Sequence, residues 1–79
     1  MNADTIRELD ALNMIEAAAD GDRETIVKTV ELYARDHDAG RLAASLALVA
    51  ALTLVSGLPP REVLRRYRAV LLDQMKAVS

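Results

Sequence analysis

Apolar residues recur at helical spacing in four stretches of this chain, and glycine, aspartate and proline separate the stretches. The pattern predicts an all-α protein, a four-helix bundle-like single domain over residues 1–79, with helices near 5–20, 22–37, 40–56 and 60–78. In the first stretch Thr5 and Glu8 have the capping-box spacing, in which each side chain satisfies an otherwise unpaired backbone amide. Ile6, Leu9, Leu12 or Asn13, and Ile15 or Glu16 follow three to four apart, and the apolar ones, with Ala19, make a stripe that Met14 and Ala18 widen. Asp10, Glu16 and Asp20 fall outside it and read as the solvent side.

Gly21 tolerates the left-handed conformation that closes a helix, and Asp22 suits the cap of the next. The second helix carries Ile26, Val30, Tyr33 and His37 on one face, with Val27 and Ala34 beside them. Glu24–Lys28 and Glu31–Arg35 pairs mark the other face. Ala17-Ala18, Gly21-Asp22, Glu24 and Ile26-Val27 resemble the inner hairpin of an ankyrin repeat, which implies two helices joined by a tight turn. No second copy follows at the repeat spacing of about 33 residues. At the next break either Gly40 closes the second helix or Asp38 caps the third with Gly40 in its first turn.

The third stretch differs from the others. From Leu42 to Ser56 there is no charge, and only Ser45, Thr53 and Ser56 interrupt Leu, Ala and Val. On a helical wheel Ala43, Ala44, Ala47, Ala50 and Ala51 share one side, with Leu54 the bulky exception. Leu42, Leu46, Leu48, Val49, Leu52 and Val55 cover the other. An alanine side lets another helix approach closely, and a leucine side fills a wider gap. This reads as a buried central helix. A helix apolar nearly all round predicts a second copy of the chain against it, with Leu42, Leu46, Val49, Leu52 and Leu54 as the candidate dimer-interface residues. Spanning a bilayer takes about 20 apolar residues, so a membrane-associated small protein is only the third reading.

The fourth helix opens at Pro60, with Glu62 near its positive end and Leu58 placed to staple Val63. Val63, Leu64, Tyr67, Val70, Leu71, Met75 and Val78 form its apolar stripe; Arg61, Arg65, Arg66, Arg68, Asp73 and Lys76 lie opposite, with Leu72 among them.

Composition sharpens this picture. At 79 residues the chain is small enough to need very good packing or a partner, and it has no cysteine for a disulfide or a Cys-based zinc site. Met1-Asn2-Ala3-Asp4 lacks the features of a secretory signal, so the expected compartment is the cytoplasm. Eight arginines to two lysines suggest a GC-rich genome, hence a bacterium or its phage. The net charge of −2 is uneven: up to Asp38 ten acids face four bases, and beyond it six bases face two acids. The two halves are therefore expected to attract each other within the fold or a dimer.

Little points to chemistry. His37 is the one imidazole, and three consecutive residues Asp36-His37-Asp38 on a helix point too far apart to converge on a metal. No catalytic constellation and no cofactor motif is present in the sequence, so the expectation is a non-enzymatic protein acting on a protein partner. Arg61, Arg65 and Arg68 recur at i, i+4 and i+7 and, with Leu72 and Lys76, are the partner-binding candidates. The same row tracking phosphates gives the alternative, a nucleic-acid-associated regulator. The absence of Phe and Trp, which leaves few base-stacking side chains, counts against it.

Overall fold

The fold was taken from a computed structural model, which describes residues 3–78, with side chains described through Lys76; Val78, expected in the stripe of the last helix, has its side chain outside that range. Four helices follow in order: α1 (Ala3–Ala19), α2 (Arg23–Arg35), α3 (Ala39–Val55) and α4 (Pro60–Val78). Among the described residues all regular structure is helical. α1 and α4 run antiparallel, since Thr5 lies by Gln74 and Asp20 by Arg61.

The turns follow from backbone hydrogen bonding at the helix ends. At the end of α1, Asp22 N–H donates to the Ala17 carbonyl (2.8 Å) and Gly21 N–H to that of Ala18 (3.2 Å), with Gly21 at φ 75°. That is a Schellman closure. Asp22 then caps α2 by accepting from the Thr25 backbone N–H (3.1 Å) and hydroxyl (2.6 Å). The end of α2 repeats the closure through Asp38 N–H to Tyr33 (2.9 Å) and His37 N–H to Ala34 (3.2 Å), but here His37 holds the left-handed position, at φ 55°. Of the two sequence alternatives at this break the structure takes the second, with Asp38 at the N-cap of α3 and Gly40 in its first turn. A left-handed residue with a Cβ costs about 1 kcal/mol against glycine. His37→Gly is therefore expected to raise the thermal midpoint by roughly 4–8 °C, measurable by circular dichroism.

The first helix corrects the sequence reading at its start. Thr5 is not a cap: α1 begins at Ala3, and Thr5 is 1% exposed inside it, with its hydroxyl donating to Gln74 Oε1 at 3.5 Å.

A larger correction concerns the centre of the molecule. α1, not α3, has the most extensive packing: it buries Thr5, Ala11, Leu12, Met14 and Ala17, whereas α3, which also touches the other three helices, buries only Leu42, Ser45 and Val49. Its buried and half-buried positions go nearly all the way round, so a single stripe does not describe it. Of the acids expected on its solvent side, Asp10 and Glu16 are half-buried and partnered, while Asp20 is exposed. Tyr33 of α2 donates to Asp10, and Arg7 reaches Asp38 (3.3 Å). From α4, Arg68 pairs with Glu16 (3.0 Å) and donates to Asn13 (2.6 Å). The core cluster joins Ala11, Leu12 and Met14 to Leu42 and Val49 of α3 and Leu64 and Leu71 of α4, with Ile26 and Tyr33 of α2 partly buried against it.

The molecule is a slab, 35 × 33 × 18 Å. A helix at the side of such a slab keeps one face uncovered, and α3 is in that position.

Candidate interaction surface

α3 turns Leu42, Ser45 and Val49 inward, with Leu46 and Thr53 partly buried along the same line. Their spacing of three and four residues is that of one helix face. Every exposed residue between Leu42 and Val55 is alanine, leucine or valine: Ala43, Ala44, Ala47, Leu48, Ala50, Ala51, Leu52, Leu54 and Val55. Leu54 is 83% exposed, Val55 80% and Leu48 61%. Scattered exposed leucines are ordinary on protein surfaces, but a contiguous apolar face marks an interaction site.

This placement divides the dimer-interface candidates. Leu42 and Val49 belong to the chain's own core, at 2% and 1% exposure, and are corrected out of any interface. Leu46 packs partly against that core. Leu52 and Leu54 stay on the outside. The alanine side, expected to receive a neighbouring helix closely, receives none among the described residues; all five of its alanines are exposed. Leu48 and Val55, grouped with the filling leucine side in the sequence, point outward. The wheel separated small from large residues, whereas the fold cuts the helix along a different diameter, set by where α1 lies.

Two open grooves flank the outer face. One, of about 240 Å³, lies where α3 ends and α4 begins, lined by Leu52, Ser56, Leu58, Val63, Arg66, Tyr67 and Val70, so the apolar surface continues onto α4. The staple pair Leu58 and Val63 both line it. The other, of about 320 Å³, sits at the beginning of α3 and mixes Ala44, Ser45 and Leu48 with Asp4, Arg7, Glu8 and Arg41.

The arginine row of α4 is engaged within the chain. Arg61 pairs with Asp20 (2.8 Å), Arg65 and Arg66 share Glu62 (2.6 and 2.8 Å), and Arg68 takes Glu16. The acidic front and basic rear of the sequence thus meet between α1 and α4. Exposed pairs of this kind each contribute about 0–1 kcal/mol, so they set orientation more than stability. The two arginine hydrogen bonds hold the Glu62 carboxyl well below the usual range, at about 2. Leu72 is 45% exposed, and Lys76 is exposed near the end of the helix.

Both tyrosines are half-buried, with a carboxylate on the hydroxyl. Burial first, and then the hydrogen bond to Glu8, pushes Tyr67 up to about 12; burial and Asp10 push Tyr33 up as well. An acid whose folded pKa lies above its unfolded value stabilises the fold below the unfolded pKa, and that stability is lost as pH rises through the folded one. For Tyr67 the window runs from 10 to about 12. Unfolding in that window, followed at once by tyrosinate absorbance and helical ellipticity, is expected to show one coincident transition, and Tyr67→Phe to shift it upward.

No protein-family model, curated protein or solved structure matches this chain.

Proposed function

We propose that the protein acts without catalysis, by protein–protein interaction through the outer face of α3, as a small regulator, inhibitor or adaptor in a bacterial or phage cytoplasm. The observation that carries the reading is the unbroken apolar arc of exposed residues from Ala43 to Val55, on a surface that the other described residues leave open. Leaving such an arc in water is unfavourable by roughly 25 cal/mol per Å², and covering it recovers that free energy. The arginine row supports the nucleic-acid alternative poorly. Phosphate tracking works by neutralisation with available cations, and Arg61, Arg65, Arg66 and Arg68 already meet carboxylates of their own chain. For the membrane alternative, no helix among the described residues is long and apolar enough to cross a bilayer.

The test is in-cell crosslinking in the native host, with a photoreactive residue at Leu54 and, as control, at Lys28 on the charged face of α2. Protein adducts that survive nuclease and form from position 54 but not 28 are the expected result. No adduct at 54, equal adducts at both sites, or adducts that nuclease removes would overturn the reading.

A further inference from the structure

We infer that the occupant of this face is the same face of a second copy, packed antiparallel across a two-fold axis that passes beside Ala47 and Ala51. This rests on the interaction reading and names its partner. The first ground is chemical. The arc offers no charged or hydrogen-bonding side chain between Ala43 and Val55, so whatever covers it must be an uncharged apolar surface of similar length. α3 itself presents such a surface.

The second ground is shape. The outer face is tapered: Gly40, Ala43 and Ala44 are exposed at its beginning, and Leu52, Leu54 and Val55 at its end. An antiparallel two-fold sets the bulky end of each copy on the small end of the other. With Ala47 opposite Ala51 of the second copy, Leu54 falls opposite its Ala44 and Val55 opposite its Ala43. Large against small is how facing helix layers fill space without voids. A parallel pair would set Leu54 on Leu54 and hold the alanine ends apart.

The third ground is charge. Arg41 stands at the beginning of the face, its side chain 76% exposed, with Asp38 at 3.6 Å. In the antiparallel pair it lies beside the carbonyl end of the second copy's α3, the negative end of that helix dipole. In a parallel pair the two Arg41 side chains would meet. The outer length of α3, about 25 Å, continues into the groove at Leu58 and Val70, which are 39% and 50% exposed.

The chain has no cysteine, so introduced thiols report without background. Ala44→Cys and Leu54→Cys chains are mixed under mild oxidation, with each variant alone as control. Both positions are exposed, so the fold tolerates them. The antiparallel pair predicts at least tenfold more mixed disulfide than either homodisulfide. Positions 44 and 54 adjoin across it, whereas 54 and 54 lie about 15 Å apart along the axis, beyond disulfide reach. Faster crosslinking of Leu54→Cys with itself would overturn the orientation. Light scattering of the unmodified chain provides the second measurement: a mass of 8.6 kDa throughout the micromolar range would overturn self-pairing altogether. In that event Leu54 adducts to a different protein in the host would leave the interaction reading standing, and their absence would remove it too.

Discussion

Leu12→Ala is expected to cost about 3 kcal/mol, within the 2–5 kcal/mol typical of a fully buried leucine. Leu12 is 0% exposed and sits in α1, where the cluster from α3 and α4 converges on it. The loss has two parts, the transfer of the deleted methyl groups and the cavity they leave. A domain of this length has a total stability of roughly 4–12 kcal/mol, so the variant should lose much of its urea midpoint at nearly unchanged slope. Leu32, 55% exposed on α2, gives the contrast. Leu32→Ala should change stability by no more than about 0.5 kcal/mol. If the two substitutions cost the same, α1 is not the centre of the core.

The second large effect concerns association rather than folding. Leu54→Glu places a carboxylate at a position 83% exposed in the single chain. The monomer should keep its helical signal, with stability changed by about 0.5 kcal/mol or less. In the proposed antiparallel pair the same carboxylate would be driven into an apolar contact opposite alanine, without a partner. An unpaired buried charge is costly enough that association should weaken at least 100-fold, or about 2.7 kcal/mol. Sedimentation at several concentrations separates the outcomes: the unmodified chain shifts with concentration and the variant stays a monomer. Equal behaviour of the two chains would place the contact elsewhere.

The local signals in the sequence were legible because they act over a few residues. Gly21 as a left-handed stop, Asp22 as a cap and Pro60 as a first helical residue each depend on neighbours within one turn, and the structure places all three as the local chemistry requires. The expected helix order agrees with the four observed elements. What the sequence hid was which helix lies at the centre. Hydrophobicity alone pointed to α3, and the polar side chains of α1 pointed away from it. Those side chains are accommodated because complementary groups arrive from far along the chain, Tyr33 to Asp10, Arg68 to Glu16 and Asp38 to Arg7. No window of helical length contains both members of such a pair. The charge asymmetry between the two halves was the one trace of it, realised as Arg61–Asp20 and Arg68–Glu16.

The candidate surface was half-legible for the same reason. The missing polar face of α3 is plain in the sequence, but the side that faces out depends on where α1 lies. Leu42 and Val49, interface candidates at the start and middle of the helix, lie in the chain's own core. Leu48 and Val55 face outward in their place. The arginine row on α4 drew attention as a pattern of like charge. The carboxylates that meet it come from α1, from the turn that follows α1 and from the first turn of α4, which moves the functional reading from α4 to α3.

The most direct measurement is methyl NMR of the unmodified protein with a soluble paramagnetic probe, at a concentration where sedimentation shows association. The methyl groups of Leu48, Leu54 and Val55 should be shielded from the probe, while those of Val27 and Leu32 on α2 broaden strongly. Shielding should disappear on dilution to the monomer. If the α3 methyl groups broaden as strongly as those of α2 while the protein is associated, the outer face of α3 is not the surface through which it binds.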